Sequence, residues 1–202
     1  YNRAGVPLME LVTEPDIHDA TGAGAFAREL QLLLRTLGIS QANLERGEMR
    51  VEANISVSKT AELGTKVEVK NLNSFRSVES AIAYEIDRQI TVLEAGESVA
   101  QETRGWDEQK ERTFTQRSKE TAKDYRYFPD PVIPKLDIRL EPSFSQSRLS
   151  ETLPELPIEK REKYANLGLP SEQIETIIAD VELNALFNSL QAVLPATALQ
   201  VA

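Results

Sequence analysis

The chain contains no cysteine, one histidine (His18) and one tryptophan (Trp106) among its 202 residues. Without thiols it can form neither disulfide staples nor a thiolate metal centre, and a reducing compartment is permitted but not required. It also lacks any apolar run of the roughly 20 residues that a membrane-spanning helix needs. A Gly-rich phosphate loop, a nucleophilic Ser or Cys constellation, an internal repeat and a low-complexity tract are all missing, which argues against P-loop nucleotide chemistry and covalent hydrolysis. Positive charge is scarce: 23 Lys and Arg face 32 Asp and Glu, for a formal charge of -9 and a pI near 4.8. Such a surface does not bind nucleic acid non-specifically, so any nucleic-acid contact must be local. Tyr1 to Gly5 supply neither an initiator Met nor a signal peptide, which reads as an internal fragment.

What is present is ordinary globular composition, 41% hydrophobic and 27% charged. The length suits one good core plus a smaller satellite domain. Val6 to Val12 is a short apolar run ended by Thr13-Glu14-Pro15-Asp16, and it reads as a strand. Glu10 within it is unusual, because a carboxylate buried in an apolar strand needs a partner or a metal. An edge strand turning Glu10 to water would explain it equally well. Between Ala20 and Leu37 the residues Phe26, Leu30, Leu33 and Leu37 recur at helical spacing, and Gly38 supplies the stop. Arg28, Glu29 and Arg35 on that helix read as plain surface, and His18 as a lone surface residue.

Met49, Val51, Ala53, Ile55 and Val57 alternate with Arg50, Glu52, Asn54 and Ser56, the pattern of a strand with one wet face. Val67 and Val69 alternate likewise with Lys66, Glu68 and Lys70, and the loop Ser58 to Gly64 predicts a hairpin between the two strands. If the wet faces agree, the sheet presents mixed carboxylates and cations, which can hold a divalent metal and a triphosphate together or simply pair with one another. Asn71-Leu72-Asn73-Ser74 offers a cap for a long amphipathic helix with an apolar line at Phe75, Val78, Ile82, Ile86, Ile90 and Leu93. Residues 101–104 and 112–117 read as two more strands around a charged turn. Asp124 to Pro131 interleaves Tyr125, Arg126, Tyr127 and Phe128 with prolines, a pattern that suits base stacking and phosphate gripping or a loop plugging a sheet. Beyond a linker at 141–149, short helices punctuated by Pro154, Pro157 and Pro170 are predicted.

The ordered motifs YNRAGVPLMELVTEPD, RVEANIS, GTKVEVKNLNSF, QETRGW and DYRYFPDP resemble the B-subunit family of the aspartyl/glutamyl-tRNA amidotransferases. LPELPIEKREKYANLGLP looks like the start of that family's helical domain. Two departures stand out. The family usually shows Arg-Cys-Asp-Ala-Asn where this chain has Arg50 to Asn54, with Glu52 in place of Asp, and usually Asp where it has Val132.

The resemblance implies an α+β fold: a mostly antiparallel sheet covered by two long helices, with residues 1–140 as part of a catalytic cradle and 150–202 as the start of an incomplete helical domain. It implies an enzyme that uses ATP and Mg2+ to phosphorylate the side-chain carboxylate of Glu on glutamine tRNA or Asp on asparagine tRNA. Ammonia from the amidase partner, the A component of the enzyme, then displaces the phosphate, and a small C component holds the pair together. Such chemistry needs metal-binding carboxylates and phosphate-binding cations more than a nucleophile. The expected catalytic residues are therefore Glu10, Glu68 and Lys70, with Glu10 and Glu68 on the metal side. Lys70, Asn71, Asn73 and Arg126 are expected at the nucleotide, and Arg50, Tyr125 and Tyr127 at the aminoacyl-tRNA. The family's compartment is the cytoplasm or an organellar matrix or stroma, with neither membrane nor DNA as partner. Because the family's metal site also draws on a more amino-terminal segment, this chain alone is expected to have little activity. The competing class is a non-catalytic cradle that docks aminoacyl-tRNA and the amidase.

Overall fold

The computed structural model describes residues 6–118, 131–191 and 193. The chain divides into two compact units, Tyr1–Ala27 with Arg50–Lys119 and Arg28–Met49 with Glu120–Ala202.

The first unit is an α+β layer built on a four-stranded sheet in the order β1 (Val51–Ile55), β2 (Val67–Leu72), β3 (Glu102–Asp107) and β4 (Arg112–Ser118). β1 and β2 are antiparallel, as are β3 and β4, while β2 and β3 run parallel. The parallel pairing follows from the connection: helix α2 (Phe75–Glu94) returns the chain to the starting end of the sheet. The fold class thus agrees with the expectation, the sheet being mixed with antiparallel pairings in the majority.

Residues 6–12, expected as a strand, are not one, and all seven are exposed. A strand persists only as a member of a ladder, and none of the four described strands pairs with this run. Its backbone groups are left to water.

Helix α1 (Ala20–Thr36) ends as predicted, with Gly38 in the left-handed region at φ 68. Within the first unit its close-packing residues are Gly24 and Ala27, and a Cβ on Gly24 would collide with the side chain of Glu79 on α2. Phe26, expected in the buried stripe, is instead 39% exposed.

Helix α2 begins where the sequence places it. Ser74 is extended (φ -147, ψ 159), and its Oγ accepts the Ser77 N–H at 3.0 Å. Its buried face is Ser77, Val78, Ala81, Ile82, Glu85 and Gln89. Val78 and Ile82 of the expected line are buried and Ile86 and Leu93 pack partly buried against the core, while Ile90 is 37% exposed and Ser77, Glu85 and Gln89 widen the face on the other side. The apolar members join Ile55, Val67, Val69, Leu72, Val99 and Trp106 in one core. Each large aliphatic side chain buried there stabilises by about 1.5–3 kcal/mol.

The polar members are satisfied in full. The carboxylate of Glu85, 0% exposed, accepts from Arg88 Nη2 (2.6 Å) and Nε (3.0 Å), Gln89 Nε2 (2.9 Å) and Thr113 Oγ1 (3.0 Å), with Arg104 Nε at 3.5 Å. Arg104 in turn donates to Glu102 Oε1 at 2.6 Å. Burial would raise the Glu102 carboxyl, but hydrogen bonds from Thr115 and Arg104 outweigh it and hold the group below the ordinary range. Gln89 also donates to the Ile55 carbonyl (3.2 Å) and accepts from Val57 N–H (3.0 Å), so one carboxamide pairs with the end of β1 as a neighbouring strand would. Helix and sheet are therefore joined by directional bonds as well as by apolar contact.

In the second unit α3 (Gln146–Thr152) starts inside the stretch expected as a linker, and α4 (Pro157–Asn166), α5 (Ser171–Ala179) and α6 (Val181–Gln191) follow. Pro157 takes the first position of α4, where its missing N–H costs nothing, and Pro170 precedes α5. The core is Tyr164, Leu169, Ile174, Ile178 and Phe187. The fully buried Tyr164 packs edge-on against Phe187 and donates to Asn188 Oδ1 (3.0 Å) while accepting from Asn184 Nδ2 (2.9 Å). Glu29, expected as plain surface, takes both of its oxygens to Arg161 (2.7 and 2.9 Å), which also holds Glu175 (2.7 and 2.9 Å). That hydrogen bonding keeps the Glu29 carboxyl below its ordinary value despite partial burial. Among the described residues no helix is long and apolar enough to cross a membrane.

Candidate functional site

The outer face of the β1–β2 hairpin gathers most of the expected charged and polar residues. Gly64 permits the hairpin to close, because a Cβ there would run into the backbone carbonyl of Val57. The register then pairs Asn54 with Glu68 and Ala53 with Val69, so the wet faces of the two strands agree.

A bulge finishes the arrangement. Ala53 pairs with Val69 but Val51 with Leu72, leaving Lys70 and Asn71 opposite the single residue Glu52. Asn71 takes the extra turn in the left-handed region at φ 66, a conformation asparagine tolerates better than most residues. The extra residue also shifts the side-chain parity. Leu72 returns to the core at 3% exposure, and Lys70 stays on the wet face.

Three charges from two strands therefore converge. Lys70 Nζ lies 2.8 Å from Glu52 Oε2 and 3.5 Å from Glu68 Oε1. Partial burial would lower the lysine, but hydrogen bonding and attraction from Glu52, then Glu68, outweigh it and hold its pKa above the ordinary value. The ammonium is firmly charged at neutral pH. Thr103, buried on β3 in register with Glu68, donates its hydroxyl to Glu68 Oε2 at 2.8 Å and fixes the carboxylate from the side away from Lys70. Asn54, next to Glu68 across the hairpin, adds an exposed carboxamide.

The predicted residues fare unequally. Glu68 and Lys70 are brought together, and Asn71 borders them at the bulge. Asn73 is exposed just before the helix cap, and Arg50 is exposed just before β1. Glu10 lies on the exposed segment 6–12. Tyr125, Arg126 and Tyr127 fall outside the described residues. Sequence reasoning left out Glu52 because it departs from the family motif, yet it is the closer carboxylate to Lys70. Thr103 was missed as well, and only the β2–β3 register could have shown it.

The donors are hard oxygens of the kind that Mg2+ takes. Among the described residues no three His, Asp or Glu are grouped to hold an ion. Mg2+ commonly uses one or two carboxylates and completes its shell with water and phosphate oxygens, and the Glu52–Glu68 pair fits that requirement.

Comparison with known proteins places this geometry in context. A family model described as the GatB/GatE catalytic domain matches residues 1–143. The chain is 43% identical over 195 residues to an aspartyl/glutamyl-tRNA(Asn/Gln) amidotransferase B-subunit of Trichormus variabilis, covering 94% of this chain and 38% of the relative. It is 46% identical over 189 residues to the same-named protein of Persephonella marina, covering 92% and 39%. A chloroplastic/mitochondrial glutamyl-tRNA(Gln) amidotransferase B-subunit of Physcomitrium patens is 44% identical over 194 residues, covering 94% and 34%. The chain thus spans little more than a third of the length of these curated relatives.

Proposed function

Since the chain belongs to the GatB/GatE catalytic domain family, we propose that it is the part of an amidotransferase B-subunit that activates the misacylated amino acid with ATP. The substrate is the side-chain carboxylate of Glu on glutamine tRNA or Asp on asparagine tRNA. One carboxylate oxygen attacks the γ-phosphorus of ATP, the bond to the β-γ bridging oxygen breaks, and ADP leaves. The resulting acyl phosphate is then attacked by ammonia supplied by the amidase, the A component, with inorganic phosphate as the leaving group and one ammonia proton lost to solvent. The aminoacyl-tRNA and a small C component make up the set of partners, in a cytoplasmic or organellar compartment.

The observation that carries this reading is the Lys70 ammonium held between Glu52 and Glu68 on an exposed sheet face. Phosphoryl transfer is accelerated by positioning and by neutralising charge on the phosphate oxygens, and no covalent nucleophile is required. Lys70 supplies a donor that is charged at working pH and held in place by two carboxylates. Glu68, fixed by Thr103, and Glu52 would hold Mg2+, which when bound would draw charge from the phosphates. Glu10 would join them from the segment 6–12. Asn71 and Asn73 border the face where the nucleotide would lie, Arg126 would add a second phosphate contact, and Arg50, Tyr125 and Tyr127 would meet the tRNA end.

The test uses the full-length protein with its partners. Lys70→Ala and Glu68→Gln should each abolish ATP-dependent carboxylate phosphorylation, read as release of ADP with aminoacyl-tRNA present, while the partner's glutaminase reaction continues. If both variants form ADP at the native rate, the chain is a docking cradle and another site carries the chemistry.

A further inference from the structure

The same face continues past Lys70. Lys70 is in register with Gly105 on β3, and Gly105 with Phe114 on β4. Register partners on adjacent strands turn to the same side, so Lys70, Gly105 and Phe114 form one row across the sheet. A Cβ on Gly105 would lie 2.7 Å from Phe114 Cζ and 2.5 Å from Gln116 Nε2. The phenyl ring therefore leans over the glycine toward Lys70, in the space a side chain would otherwise fill. Phe114 is 41% exposed although it is a large apolar residue. Adjacent strands are about 4.8 Å apart, so its backbone is roughly 10 Å from that of Lys70 and the ring tip is nearer.

A half-exposed aromatic ring laid over a glycine, with an ammonium in the same row beyond it, matches the two ends of a nucleotide: a flat base and a chain of phosphates. Base stacking on an aromatic side chain and phosphate contact by a cation are the usual means of holding such a ligand. We propose that Phe114 is the stacking wall for the adenine of ATP, positioned by Gly105 so that the phosphates reach Lys70. The inference rests on the assignment of Lys70 to the phosphates. An aromatic residue covering a cross-strand glycine also stabilises sheets on its own account, and that simpler role makes different predictions.

The experiment measures binding of ATP and of inorganic tripolyphosphate, which has no base, to the assembled amidotransferase by calorimetry. Phe114→Leu keeps an apolar cover over Gly105 but removes the ring. It should weaken ATP by roughly 5- to 150-fold, the factor corresponding to loss of one stacked base, and leave tripolyphosphate unchanged. Phe114→Trp should retain ATP affinity. The proposal is overturned if Phe114→Leu binds ATP as the native protein does, or weakens both ligands equally. It is overturned too if that variant raises only the KM for aminoacyl-tRNA, which would give the ring to the tRNA end. Lys70→Ala should weaken both ligands. Unchanged binding in that variant would remove the phosphate assignment whatever Phe114→Leu does, so the two failures are distinguishable.

Discussion

Replacing Glu85 by Gln tests whether the buried polar network holds α2 to the sheet. The substitution keeps the shape of the side chain and one acceptor oxygen. It removes the charge and turns an NH2 group toward the guanidinium and hydroxyl donors that now reach both carboxylate oxygens. Removing one partner of a buried ion pair costs about 3–5 kcal/mol. Arg104 would keep Glu102 at 2.6 Å, so only part of the positive charge is orphaned and the lower end applies, about 3 kcal/mol. For a chain of this size that corresponds to a fall in Tm of roughly 6–12 °C. Trp106, the only tryptophan and 7% exposed in the same core, reports unfolding in guanidinium by its fluorescence. A double-mutant cycle with Arg88→Met should give a coupling energy of about 1 kcal/mol or more. A Glu85→Gln variant within about 0.5 kcal/mol of the native protein, which is the scatter of ordinary surface substitutions, would refute the reasoning.

Three further outcomes are expected. Ser74→Ala should cost about 1 kcal/mol by uncapping α2, and Ser74→Asp should restore most of it; equal stability of Ser74→Ala and the native chain in urea would refute the cap. Gly64→Ala should cost about 2 kcal/mol or more because the carbonyl of Val57 cannot yield, whereas Gly38→Ala, with open space around it but φ 68, should cost only about 1 kcal/mol; the reverse order in denaturant midpoints would refute the packing argument. Arg161→Ala should lose about 1 kcal/mol or less at pH 7, since its partners are surface carboxylates. The Glu29 carboxyl is held below its ordinary value of 4.5 in the folded chain. Its contribution is therefore present above that value and lost as pH falls through the folded pKa, so the native and Arg161→Ala curves should converge as pH falls below the ordinary carboxylate value, and a constant gap would exclude the pair.

The hairpin was legible because two neighbouring strands each alternate strictly, and a period of two leaves only the register open. The structure closed that register in favour of agreeing wet faces, through the bulge at Asn71. Helix α2 was legible in extent but not in rotation. Val78, Ile82 and Ile86 of the expected stripe do meet the core, but Ile90 does not, and Ser77, Ala81, Glu85 and Gln89 form the flank that is most deeply buried. Small and polar residues recurring every four positions (Ser77, Ala81, Glu85, Gln89) beside Val78 and Ile82, together with Thr and Arg in 103–104 and 112–115, were the available signal. Hydrophobic periodicity cannot find a core residue whose burial is satisfied by hydrogen bonds. The run Val6 to Val12 failed for the opposite reason: its composition suits a strand, but pairing depends on neighbours that a local pattern does not contain. Glu52 departs from the family motif, yet at 2.8 Å it is the carboxylate closest to Lys70, a contact that only the cross-strand register reveals.

The two faces of this sheet are chemically alike and mechanically linked. Behind the sheet whose front displays Glu52, Glu68 and Lys70, Gln89 holds the end of β1 and Glu85 holds β4 through Thr113, with Arg104 tying β3 to β4. Both sets are acids, amides and bases, so residue type alone does not tell a scaffold group from a surface one, and an alanine scan scored by a single readout would not separate them. Melting temperature and ligand affinity separate them, since the rear set should fail in heat and the front set in binding. Loss of activity on replacing Glu85, Gln89 or Arg104 therefore reports the scaffold, and only a stability measurement beside it says so.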